Sequence, residues 1–150
     1  MGLKFQNHIK INSYDQYDNI NGYVVPIYHK NDNYFYKDEE LKQVNLTVLS
    51  PGSKKGPHIH DIRTSILTCI KGNICVVAKI QNEYYEYFSG EDNEFRSIEI
   101  PAGTAAMILN VGDVDAFILN MPNPEWVPGL DEIHEANFSD YVFQRSEKSN

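Results

Sequence analysis

The chain predicts an all-β domain, a sandwich or barrel of short antiparallel strands, and two observations carry that reading. Apolar runs recur between Gly/Pro/Asn/Asp turns at intervals of about 8–12 residues. Between those turns no segment sustains an amphipathic helical stripe longer than about three turns, which removes a parallel α/β sheet from consideration. At 150 residues the chain buries a full core as one domain, without needing disulfides or a structural metal to fold.

Taken in order, residues 1–21 are polar and rich in Asn, Asp and Tyr. Weak alternation around Phe5, Ile9 and Ile11 gives an edge strand or an arm lying on the body. Gly22 to Lys30 reads as a strand interrupted by Pro26, which suits an edge or a bulge. An aromatic patch at Tyr34, Phe35 and Tyr36, followed by the charged Lys37 to Glu40, fits a turn or a short helix. Val44 to Leu49 is the next strand and delivers the chain to the turn Ser50-Pro51-Gly52. Ile66 to Ile70 and Ile74 to Ile80 are expected to pair across the short loop Lys71-Gly72-Asn73. Glu83 to Phe88, Arg96 to Ile100, Ala105 to Asn110 and Val114 to Asn120 complete the strands. Residues 1–150 are thus one domain with a core over about 44–122, N-terminal strands or an arm over 1–43, and an irregular tail over 123–150. The tail, rich in proline and acidic residues, is expected to wrap over one end of the barrel and to fray after Arg145.

A net charge of −8 and a pI near 5.0 argue against nucleic acid or an anionic membrane as the main partner, since both demand a basic surface. A small anionic molecule needs only a local cluster such as Lys54, Lys55 and Arg63. Cys69 and Cys75 stand in apolar strands outside any paired C-x-x-C arrangement, so they read as buried free thiols. No apolar leader follows Met1 and no segment reaches the length of a membrane span, so the expected location is the cytoplasm. The sequons at Asn45 and Asn137 then carry no glycan.

The candidate site is the stretch Gly52 to Gly72. His58 and His60 lie two apart, so in an extended chain both imidazoles project to one face. Histidine is the side chain best suited to acid–base work near neutral pH, and it is also a metal ligand.

The spacing of these residues resembles the two-motif core of the cupin superfamily, from Gly52 to about Asn120. Gly52, His58, His60 and Gly72 fall in register with the first motif, and Pro101, Gly103 and Asn110 with the second. Ser65 stands at the glutamate position and Ala106 at the histidine position, so two of the four usual metal ligands are replaced. The resemblance implies a single double-stranded β-helix, the jelly-roll barrel. It is nearest to the metal-free branch acting on nucleotide-linked sugars, the sugar 3,4-ketoisomerases and the dTDP-4-dehydrorhamnose 3,5-epimerase type. Gly56-Pro57-His58-Ile59-His60 followed by Ile66 to Gly72 reproduces the ketoisomerase pattern. Those enzymes carry a tyrosine on the preceding strand, where this chain has Val44 to Leu49, and an arginine ahead of the glycine, where it has Lys55. Epimerases place a base at the position of His58, a lysine at Ser65, a second histidine at Ala106 and a tyrosine acid near Leu119-Asn120. Only the first is kept here.

The resemblance implies a metal-independent isomerase or epimerase of a nucleotide-linked 4-keto-6-deoxy sugar, serving surface polysaccharide synthesis. His58 and His60 are the expected catalytic pair. Lys55, Arg63, Tyr85, Asn110 and Trp126 are the expected substrate-binding residues, with no cofactor. An alternative is a cupin that binds a sugar or other small ligand without turnover. A third is a divalent-metal cupin with an unusual sphere built on His58 and His60. A homodimer through the N-terminal strands is the expected assembly.

Overall fold

A computed structural model of the chain describes residues 2–29, 41–129 and 132–143. The expected turn or helix at Tyr34 to Glu40 and the expected fraying after Arg145 lie outside these residues. Twelve strands run through the described chain: β1 (Phe5–His8), β2 (Ile11–Tyr14), β3 (Ile20–Val24), β4 (Asn45–Leu49), β5 (Lys54–His60), β6 (Thr64–Lys71), β7 (Asn73–Ile80), β8 (Glu83–Gly90), β9 (Phe95–Ile100), β10 (Ala105–Asn110), β11 (Ala116–Asn123) and β12 (Ile133–Glu135). Among the described residues no helix is long and apolar enough to cross a membrane.

One sheet has the order β1-β9-β6-β11-β4 and the other β12-β5-β10-β7-β8, with β2-β3 as a separate hairpin. The antiparallel pairs are nested: β7 with β8, β6 with β9, β5 with β10 and β4 with β11. A chain paired outward from a central hairpin in this way must switch sheets at successive strands, which is the jelly-roll topology. The all-β jelly roll expected from the sequence is the fold observed.

The expected pairing of residues 66–70 with 74–80 is not made. β6 lies between β9 and β11, and β7 between β10 and β8, so the chain crosses from one sheet to the other at Gly72. There φ is 72° and a Cβ would stand 2.9 Å from the Asp115 carbonyl oxygen. The tight hairpin is instead β7–β8, turning at Gln81 and Asn82, both with positive φ. Strong apolar runs on both sides of a glycine did not distinguish a hairpin from a sheet crossing.

β6 and β7 read as nearly continuous apolar runs because both of their faces are covered. Between the sheets, Leu49, Leu67, Cys69, Ile74, Val76, Ile98 and Ile118 form the main core. Outside the first sheet, Ile66 and Met121 pack against Ile27, Tyr28 and Leu41. Outside the second, Cys75, Val77 and Met107 pack against Phe138, Tyr84 and Tyr141. The tail is therefore less irregular than its composition implied: β12 extends the second sheet beyond β5, and the residues after it cover that sheet's outer face. Cys69 and Cys75 are buried thiols outside any disulfide, the first in the core between the sheets and the second in the cluster outside the second sheet.

β1 is fastened to the first sheet by a buried polar chain. His8 Nε2 lies 2.6 Å from Ser97 Oγ, which lies 2.6 Å from Thr68 Oγ1. Burial lowers the His8 pKa from its ordinary 6.5, so the ring is held neutral among hydroxyls.

Candidate functional site

β5 carries the histidines, which stand on the strand itself and close to its end. Gly56 makes this possible: with φ at 88°, a Cβ there would lie 2.9 Å from the Ala106 carbonyl oxygen, so β5 closes tightly onto β10. His58 is the register partner of Ala106, whose small side chain belongs to the barrel interior. His60, two residues on, shares that face. The two rings are 6.5 Å apart between centroids and nearly perpendicular, at 82°.

Both rings line a cavity of about 590 Å³ at one mouth of the barrel. Lys55, Arg63, Ser65, Ala106, Asn120 and Trp126 also line it, among the apolar Leu67, Ile100, Ile108 and Ile118. Of the residues expected from sequence, His58, His60, Lys55, Arg63 and Trp126 are thus brought together. Trp126 stands at the rim, 50% exposed, with its backbone N–H donating to Gln43 Oε1 at 2.7 Å.

Two expected residues lie elsewhere. Asn110 is buried in a corner, where Nδ2 donates to the carbonyls of Leu49 and Val114, both at 2.8 Å, and Oδ1 accepts from the Gly112 N–H at 2.9 Å. Its amide is consumed in joining β10 to β4 and to the following turn. Tyr85, on the edge strand β8, pairs with Ala78 of β7, and two strands separate β8 from the strand of the histidines. Its hydroxyl donates to Glu83 at 3.2 Å. A tyrosine's aromatic face gave no indication of which strand it would ride on.

Glu132, only 4% exposed, is the residue that organises the histidines. Its Oε2 lies 2.7 Å from His60 Nδ1, and its Oε1 accepts from the backbone N–H groups of Ile62 at 3.3 Å and Arg63 at 3.1 Å. Burial works to raise the Glu132 pKa, but the hydrogen bonds from His60 and the two amides outweigh it and leave it below the ordinary value. An ionised Glu132 requires that His60 carry its proton on Nδ1, which leaves Nε2 as the accepting nitrogen. Arg63 Nη2 lies 3.0 Å from the same Nδ1. Two N–H groups do not bond to each other, so with Nδ1 protonated the guanidinium lies beside the ring without a hydrogen bond to it. His134, on β12, pairs with Asp61 at the surface.

In the sequence Glu132 stands with Trp126, Asp131 and His134 in a tail expected to close over the barrel mouth, and nothing there marks it as the partner of His60. Its place depends on β12 adding to β5, with Ile133 opposite His60, a pairing between segments 72 residues apart. Asn120 was passed over as well. It lies between Asn45 of β4 and Leu67 of β6, and all three line the cavity.

The donor set does not suit a metal ion. Among the described residues no group of three or more His, Cys, Asp or Glu side chains converges to hold one, Ser65 and Ala106 supply no replacement ligands, and His60 Nδ1 is engaged by Glu132. Three or four protein ligands are the usual requirement.

No family model matches the chain, and no curated protein matches it by sequence. Among solved structures it is similar to a dTDP sugar isomerase from Desulfovibrio desulfuricans G20, at 17% identity over 91% of this chain and 84% of that one, with a TM-score of 0.74. It is also similar to a 3'-monoepimerase, ChmJ, from Streptomyces bikiniensis in complex with dTDP-quinovose, at 18% identity over 93% and 71%, with a TM-score of 0.72. QdtA, a sugar 3,4-ketoisomerase from Thermoanaerobacterium thermosaccharolyticum in complex with TDP, matches at 17% identity over 98% and 95%, with a TM-score of 0.67. At these identities the likeness establishes the fold. The chain shares the jelly-roll fold of these three proteins.

Proposed function

We propose that this protein is a metal-independent isomerase or epimerase of a nucleotide-linked 4-keto-6-deoxy sugar, in surface polysaccharide synthesis. The observation that carries the reading is the His60–Glu132 pair at the cavity of the barrel, with His58 beside it. A histidine held by a buried carboxylate in the Nδ1–H form presents a basic Nε2, and the imidazolium formed when it takes a proton stays beside a negative charge.

The reaction begins with removal of a proton from the carbon next to the ketone by His60 Nε2. The C–H electron pair becomes the enediolate π bond and the carbonyl pair moves onto oxygen. Arg63, beside His60, supplies positive charge for that oxyanion. Returning a proton to the same carbon from the opposite face inverts it; returning one to the former carbonyl carbon, while the neighbouring hydroxyl gives its proton to the former carbonyl oxygen, moves the ketone. His58 supplies that second transfer. Electrons and protons balance within the substrate, so no redox cofactor is required. Lys55 meets the diphosphate, and Trp126 at the rim offers a face to the nucleotide base.

The binding-only reading has its own support in Ser65 and Ala106, which leave the cavity without the second histidine and the lysine of the epimerase type. Incubating the protein with TDP-4-keto-6-deoxyglucose in D₂O and following the sugar by NMR separates the two. The enzyme reading predicts a new sugar species with deuterium at carbon; binding with no exchange would leave a ligand-binding cupin.

We also propose a homodimer through the β2–β3 hairpin. That hairpin belongs to neither sheet and exposes Ile11, Tyr14, Ile20 and Val24, whereas a lone two-stranded ribbon is marginal in water. Light scattering should give twice the chain mass for the wild type and a monomer for Ile20→Asp.

A further inference from the structure

We propose that His134 and Asp61 are positioning residues, whose hydrogen bond to each other seats the Glu132 carboxylate against His60. The reaction they serve rests on the function proposed above, whereas the seating of Glu132 is a matter of geometry. Glu132 directly precedes β12, a strand of only three residues at the edge of its sheet, with Ile133, His134 and Glu135 all exposed. Burial does little to hold such a segment, and short exposed edges are where proteins open locally. The next buried residue of the tail is Phe138, in the cluster outside the second sheet.

Polar contacts with the turn after β5 therefore decide where Glu132 sits. The Asp61 N–H donates to the Glu132 carbonyl at 2.9 Å. The N–H groups of Ile62 and Arg63 donate to the Glu132 side chain. His134 Nε2 then reaches back to Oδ2 of Asp61, where the carboxylate can only accept. Asp61 is thus bonded through its main chain to Glu132 and through its side chain to the residue two positions further on, which closes a ring around the Glu132 backbone. Both members of the pair are more than half exposed, so it adds little to global stability. Its effect falls on the placing of one carboxylate, where a displacement of about 1 Å is costly to a proton transfer.

The test uses His134→Leu, which removes the donor, and His134→Gln, which supplies an amide N–H instead, both in the full chain. Melting temperature, turnover of TDP-4-keto-6-deoxyglucose and the ring-nitrogen NMR signals of His60, which report a proton on Nδ1, are measured for each. His134→Leu should lower kcat about five- to tenfold, keep KM within about twofold, leave the melting temperature within about 2 °C and weaken the Nδ1–H signature. His134→Gln should recover most of the loss. Added to Glu132→Gln, the His134→Leu change should cost less than about twofold, because a residue acting through Glu132 has no carboxylate left to seat. Full additivity of the two changes, or a kcat loss matched by a large fall in melting temperature, would overturn the proposal and leave a structural pair. So would a His60 ring signal unchanged in His134→Leu. If the wild type turns over no sugar, the proposed function fails, and the His60 ring signal alone decides for or against the seating of Glu132.

Discussion

Two histidines in this barrel are held by short hydrogen bonds, and their partners give them opposite roles. His8 is enclosed on the outer face of the first sheet, bonded to the Ser97 hydroxyl and through it to Thr68. His60 stands at the mouth of the other sheet, 23% exposed, bonded to the Glu132 carboxylate. Hydroxyls cannot compensate an imidazolium in a buried place, so His8 stays neutral and serves to fasten a strand. A carboxylate can, and that is the partner the proposed base requires. The side chain is the same in both places; the charge of its partner and access to a cavity separate a clamp from a base.

The largest effect should come from removing that charge. Glu132→Gln keeps the shape but no longer favours the Nδ1–H form of His60, and sugar turnover should fall by about 10²–10⁴-fold. The matching change His8→Gln should leave turnover within about twofold. Comparable losses from both would mean that the two histidines do not differ as argued. Stability should respond in the other order of pH. His8 has a lowered pKa, so its contribution is present above pH 6.5 and is lost as pH falls through its folded value. Glu132 also has a lowered pKa, so its contribution is present above pH 4.5 and is lost only in more acid solution. Urea unfolding of the wild type should therefore weaken in two separate windows. His8→Gln should remove the first and Glu132→Gln the second. A single window unaffected by either variant would contradict the assignment.

A smaller effect concerns the thiols. Burial pushes the Cys69 pKa up to about 12, so native protein should resist thiol reagents at neutral pH and react only on unfolding. Rapid native labelling would mean that the inter-sheet core opens readily.

Sequence reading reached the fold because the evidence for it is local. Turn residues at short intervals and the Gly52–His58–His60–Gly72 spacing are contiguous features, and the jelly roll follows from them. It also placed Lys55, Arg63 and Trp126 at the cavity, since the first two flank the histidines and the third follows the last barrel strand. It failed where partners come from distant segments. Asn110 has the spacing of a motif residue, yet its amide is spent on Leu49, Gly112 and Val114, contacts that only the folded corner creates. Tyr85 depended on which strand became the sheet edge. Glu132 could not be told from its acidic neighbours until β12 brought it beside His60.

The most direct test of the central claim is the rate at which solvent deuterium enters TDP-4-keto-6-deoxyglucose with wild type, His60→Asn and His8→Asn, each shown to be folded. Exchange should be lost in His60→Asn and kept in His8→Asn. Undiminished exchange in folded His60→Asn would contradict the account, because the proton would then be leaving to another base.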